Sequence, residues 1–180
     1  MTLKKTRYIA VIGIFVLNFI FHFAYDLLPN TLFSILFPVN ESIFEHQKMI
    51  FSSFVFYSII DYFILRKNNL STHNLLLGTV ISAFSTVAIF LAIWLPIYYK
   101  TGENMILTFI ILFIAIAISQ VIQYWILKKE KEIPYSTYIG IGVIIITYII
   151  FSYLTYNPPK VEFFFDPLEE KYGINTYVIR

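Results

Sequence analysis

The sequence predicts an all-α integral membrane helical bundle, with about five transmembrane helices and a short interfacial helix. Three observations carry that prediction. First, 58% of its 180 residues are hydrophobic and only 13% are charged, and the mean hydropathy is +0.74. An average soluble domain carries about 25% charged residues, so this chain lacks the polar surface to cover a globule in water, and a soluble single domain is excluded. Second, the apolar residues fall in runs of about 20, the length a helix needs to cross the hydrocarbon core. Third, each run is closed by basic residues, Asn or Pro.

The first run, 8–28, follows Lys4, Lys5 and Arg7, a pattern shared with signal peptides. No small-residue cleavage site follows it. It continues through His22, Tyr25 and Asp26 to Pro29 and Asn30, which reads as a retained span, with cleavage the competing reading. Residues 31–38 are apolar but too short to cross, and predict a short interfacial or re-entrant helix. The second span, 41–65, stops at Arg66-Lys67-Asn68-Asn69. The third, 75–99, tolerates Pro96 because the helix is about to end. The fourth, 105–127, is closed by the charged run 128–132, and the fifth, 135–156, has Pro134 placed for its first turn. Residues 1–156 thus form a transmembrane helical domain. Residues 157–180, with Pro158, Pro159 and Pro167, form an extracytoplasmic interfacial tail.

Orientation follows from basic residues in short loops. With the N-terminus in the cytoplasm, Lys4, Lys5, Arg7, Arg66, Lys67, Lys128, Lys129 and Lys131 lie inside, eight of the 13 Lys and Arg. Lys48, Lys100, Lys160, Lys171 and Arg180 fall elsewhere, and an odd number of spans places the C-terminus outside. Heavy use of Ile, Phe, Tyr, Asn and Lys points to an AT-rich bacterial genome and a bacterial plasma membrane. The lipid bilayer is therefore the expected partner. A net charge of +2 provides no nucleic-acid-binding stripe, and the lack of cysteine excludes disulfides and thiolate zinc sites.

Ionisable residues are costly inside a bilayer and mark candidate sites. Here they gather at the outer ends of the first two spans: His22, Tyr25 and Asp26 on one, and Asn40, Glu41, Ser42, Glu45, His46 and Lys48 on the other. Residues three and four apart share a helix face. Glu41, Glu45 and Lys48 make one stripe of the second span, and Ser42, His46, Ser53, Tyr57 and Asp61 another. Antiparallel packing brings His22 and Asp26 toward Glu45 and His46. Imidazole with carboxylate is a ligand set for zinc, manganese or iron. The expected metal ligands are His22, Glu45 and His46, with Glu41 or Asp26 as base and Lys48 stabilising developing negative charge. Tyr25, Asn40 and Ser42 complete the pocket.

A structural reading stands beside this one. Ser42-x-x-Glu45 is a capping box, Asn40 is an alternative cap, Lys48 can pair with Glu45 or Glu41, and His22 can bond Asp26. Gln120 and Gln123 are expected to bond neighbouring helices, and Asp61 to pair with Arg66. Gly78, Ser82, Ser85, Thr86, Gly140 and Gly142 suit close helix packing, and His73 reads as a solvated loop residue. The aromatic tail around Phe163, Phe164 and Phe165 either lies along the interface or covers the site, with Asp166, Glu169 or Tyr172 reaching in.

The run Pro38-Val39-Asn40-Glu41-Ser42-Ile43-Phe44-Glu45-His46-Gln47-Lys48, preceded by His22-x-x-Tyr25-Asp26 and followed by Asp166-Pro167 and Tyr172-Gly173, resembles the signature of an uncharacterised family of small bacterial multi-pass membrane proteins. The resemblance covers the whole chain and implies a bacterial membrane protein, with no activity attached. A fainter similarity, to ceramidase-like membrane hydrolases with His, Asp and Ser at one membrane face, lacks the His-x-x-x-His of those enzymes. Three functions are consistent with the residues. A metal-dependent or acid–base hydrolase of a lipid-like substrate is the first. A component binding or transporting a small polar solute or cation is the second, using the stripe Ser53, Tyr57 and Asp61 as a path. A structural accessory protein is the third.

Overall fold

In the computed structural model, residues 1–129, 131–174 and 176–177 are described. Glu130 and Arg180, expected in an inner loop and the outer tail, lie outside them. The described chain is built on seven helices: α1 (Leu3–His22), α2 (Ala24–Leu27), α3 (Thr31–Leu36), α4 (Ile43–Lys67), α5 (Leu75–Thr101), α6 (Met105–Leu127) and α7 (Ser136–Tyr156). Four of them, α4 to α7, are long and apolar enough to cross a membrane. The remaining long helix, α1, begins with Lys4, Lys5 and Arg7 and is not among the four.

The helix ends follow local chemistry. Asn30 Oδ1 accepts the Phe33 N–H at 3.0 Å, and Asn104 Oδ1 accepts the Leu107 N–H at 3.1 Å, each satisfying an amide that the helix itself leaves orphaned. The short helix expected over 31–38 is α3. Helix α7 starts at Ser136, leaving Pro134 outside its first turn, because Tyr135 turns the chain through a left-handed φ of 60°.

The most buried of the four candidate spans is α4, which packs against α1 and α5, while α6 packs against α1 and α5. Ile14, Ile50, Phe51, Phe54, Ala115 and Ile116 fill the seam between them. Helices α1 and α4 run antiparallel. Met1 donates to Asn68 Oδ1 at 2.7 Å at one end of the pair, and the His22 and His46 rings lie 5.2 Å apart at the other. Where they cross, Gly13 lies flat against the Tyr57 ring; a Cβ there would sit 2.3 Å from it.

Gly140 makes a similar approach to Leu76, whereas Gly142 has nothing within 4 Å of its Cβ position and is not a packing glycine. Gln120 and Gln123 do bond across helices, to Arg7 at 3.3 Å and Thr79 at 3.4 Å. Asp61 pairs with Arg7 of α1, not with Arg66. The reason is angular: a residue five positions on lies about 140° round the helix, so Arg66 points away from the face on which Asp61 is buried. Exposed His73 lies 3.5 Å from Glu132.

After α7 the tail folds back. A 3-10 turn (Glu162–Phe164) leads into a small antiparallel sheet of β1 (Phe165–Asp166), β2 (Lys171–Tyr172) and β3 (Thr176–Tyr177), in the order β1-β2-β3. Phe163 and Phe164 pack on the main core, with the Phe164 ring 4.7 Å from that of Phe44.

Candidate metal centre

Three segments converge where α1 ends and α4 begins. Helix α4 starts at Ile43, with Ser42 as its cap; Ser42 Oγ accepts the Glu45 N–H at 3.3 Å. That is half of the expected capping box. The other half is rewired, since the Ser42 N–H donates to Asn40 Oδ1 at 2.9 Å while the Glu45 carboxylate accepts the Val39 N–H at 3.0 Å.

Starting the helix two residues later than expected removes Glu41 from the Glu45 stripe and places it in the loop before α4. From there its carboxylate reaches both imidazoles. Glu41 Oε2 lies 3.3 Å from His46 Nε2 and 3.8 Å from His22 Nε2. One ligand atom from each of the three residues lies within 4.8 Å of the others.

The protonation of His46 gives this cluster its meaning. Its Nδ1 lies 2.9 Å from the Ser42 carbonyl oxygen; a carbonyl only accepts, so Nδ1 donates there and Nε2 is the nitrogen turned to Glu41. Nε2 faces a carboxylate oxygen at 3.3 Å, a contact satisfied by a proton on Nε2 or by a cation held between the two groups. A histidine whose second nitrogen is held by a backbone carbonyl is the usual arrangement behind a metal ligand. With a proton on Nε2, the hydrogen bond from His46 holds the Glu41 carboxyl below the usual carboxylate range, against the opposing effect of burial.

Geometry fits a small divalent ion. Bonds of 2.0–2.2 Å in a tetrahedral shell put neighbouring ligand atoms roughly 3.4 Å apart. The Glu41–His46 separation already matches, and His22 Nε2, 3.8 Å from Glu41 Oε2, lies just beyond it. On His22, Nδ1 is buried without a partner. The cluster is partly open, with Glu41 exposed and both imidazoles half-buried, so a fourth position can face solvent or a substrate.

The structure places the other expected site residues differently. Glu45 and Lys48, expected as ligand and charge stabiliser, form a buried ion pair. The Lys48 ammonium also donates to the Ser34 carbonyl at 2.7 Å and to Thr155 Oγ1 at 2.9 Å, and Thr155 donates to Glu45 Oε1 at 2.9 Å. Every hydrogen-bonding site on that ammonium is used. The pair therefore ties α3, α4 and α7 together beneath the cluster. Asp26 is exposed on α2 and is not one of the clustered groups, and Tyr25 is half-buried beside it. Asn40 is buried, its amide donating to the Gly173 carbonyl at 2.8 Å. Ser34 and Thr155 are contributors that sequence reasoning missed, since a serine in a short apolar helix and a threonine near the end of a span give no signal by themselves; Gly173 stood out only as part of the Tyr172-Gly173 signature.

Residues 1–174 match a family of unknown function, DUF6512. The chain belongs to DUF6512. Neither the curated proteins nor the solved structures contain a match to it. Both segments that build the centre of this DUF6512 protein, 22–48 and 161–173, fall inside the matched residues. Membership agrees with the resemblance to an uncharacterised family and brings no activity with it.

Proposed function

We propose that this DUF6512 protein is a membrane-embedded, metal-dependent hydrolase of a lipid-like substrate, with His22, Glu41 and His46 as the ligands of a divalent metal, zinc before manganese or iron. The observation that carries the reading is the close grouping of His46 Nε2, Glu41 and His22, with the other nitrogen of His46 held by a backbone carbonyl. Two histidines and one glutamate leaving an open position is the ligand pattern of catalytic zinc. Such an ion polarises a bound water toward hydroxide near neutral pH.

The membrane frame supports a substrate at headgroup level. Helix α1 presents Ile9, Ile12, Val16 and Ile20 outward, an apolar stripe suited to lipid, so it serves as a fifth span beside α4 to α7. Positive-inside orientation then puts the N-terminus in the cytoplasm of a bacterial cell, and the centre and the tail at the outer face of its plasma membrane.

The test uses the zinc-loaded protein reconstituted in vesicles of phosphatidylethanolamine and phosphatidylglycerol, with release of fatty acid and of headgroup measured. Turnover that a chelator abolishes, zinc restores and His46→Ala lacks is the expected result. Bound zinc with no turnover of ester, phosphodiester or amide-linked lipids contradicts the hydrolase and leaves a metal-binding role.

A further inference from the structure

The loop that carries Glu41 belongs to no helix, and what fixes it comes largely from the far end of the chain. The Glu41 N–H donates to Asp166 Oδ2 at 3.0 Å, although 125 residues separate them. Asp166 is fully buried, and its other oxygen accepts the Leu168 and Glu169 N–H groups at 2.8 and 3.1 Å, closing the turn after β1. One residue before Glu41, Asn40 donates to the Gly173 carbonyl.

Gly173 can occupy that place only as glycine. Its φ is +58°, and a Cβ would lie 2.3 Å from the Thr155 carbonyl oxygen, the same oxygen that accepts the Ile174 N–H at 3.2 Å. The tail is thus pinned to the end of α7 on one side and grips Asn40 and Glu41 on the other.

We infer that the C-terminal segment 161–174 is a clamp that sets the metal affinity of the His22–Glu41–His46 centre, with Asp166 as the positioning residue for Glu41; the inference rests on the metal reading proposed above. A ligand held in place before the ion arrives costs less ordering on binding, and partners one layer behind a metal ligand carry about 10–100-fold in affinity. Coupling of this kind is reciprocal. Tail docking raises metal affinity, and bound metal by the same factor stabilises the docked tail.

The chemistry of Asp166 supplies a selective variant. Aspartate accepts with both oxygens, one toward Glu41 and one toward its own turn. Asparagine has a single acceptor oxygen, so Asp166→Asn keeps the two turn bonds and faces the Glu41 N–H with another donor, or the reverse; either way one set is lost. Glu103→Gln is the control, since Glu103 is exposed in the loop between α5 and α6, outside the tail and the Glu41 loop.

Zinc affinity is measured in detergent by competition with a fluorescent chelator, and exchange of the tail amides 165–173 is followed by hydrogen–deuterium exchange with and without zinc. The expected result is a 10–100-fold weaker zinc affinity in Asp166→Asn, no change in Glu103→Gln, and slower exchange of the parent's tail amides on adding zinc. Zinc affinity within twofold of the parent in Asp166→Asn overturns the clamp and leaves the metal centre standing. Tail exchange unmoved by saturating zinc in the parent also overturns it, without relying on any variant folding. A parent that binds none of zinc, manganese and iron overturns the metal reading and the clamp with it.

Discussion

Lys48→Met is expected to destabilise the protein by about 3–5 kcal/mol, the usual cost of leaving one partner of a buried ion pair uncompensated. Lys48 and Glu45 are both essentially inaccessible to solvent. Removing the ammonium strands the Glu45 carboxylate beside Thr155 and the Val39 amide, which cannot balance a full charge, and also frees the Ser34 carbonyl. The Glu45→Gln/Lys48→Met double variant is expected to recover most of the loss, because a neutral amide in that place needs no counter-ion. Unfolding by SDS in mixed micelles measures both. A single variant as stable as the parent contradicts the view that the pair ties α3, α4 and α7 together, and assigns Lys48 some other role.

The second large effect is expected at the opposite end of α4. Arg7 lies buried between helices, its guanidinium contacting Asp61 and, at 3.3 Å each, Gln120 and Thr6. Asp61 Oδ2 already lacks a partner. Arg7→Leu leaves the whole carboxylate unpaired among α1, α4 and α6, and about 3–5 kcal/mol is again the expected cost. Arg7→Lys is expected to fall in between. A lysine supplies the charge but not the planar fork that reaches Asp61 and Gln120 together. The same unfolding assay reads the series, and Arg7→Lys matching Arg7→Leu contradicts the charge-pairing account.

These two pairs also show how far the fold was legible in the sequence. The ends of α4, α5 and α6 follow from charge runs and caps that are local in sequence, and α3 follows from an apolar stretch too short to span. Asp61 was assigned to Arg66 because sequence proximity was the only guide; helical geometry turns Arg66 aside, and nothing local announces Arg7, 54 residues away. The site was legible in composition but not in wiring. His22, Glu41, Glu45, His46 and Lys48 were all recognised, yet the carboxylate beside the imidazoles is Glu41, while Glu45 pairs with Lys48. That difference hangs on where α4 begins: with Ser42 as cap, Glu45 turns inward to Lys48, and Glu41 is released toward the imidazoles. The strands of the tail, two residues each, are too short for alternation to show in the sequence. Hence Asp166 could be suspected of reaching the site, while its partner, the Glu41 amide, could not be named.

His46 Nε2 and a Glu41 carboxylate oxygen face each other at 3.3 Å, and the central claim is that a metal ion, not a proton, bridges them. Elemental analysis by mass spectrometry of the detergent-purified protein, beside a His22→Ala/His46→Ala variant of checked thermal stability, tests it most directly. The account predicts close to one zinc, manganese or iron per parent chain, lost in a variant that remains folded. A parent without metal, even after incubation with each of the three ions and removal of the excess, contradicts it and makes the contact an ion pair between Glu41 and a protonated His46.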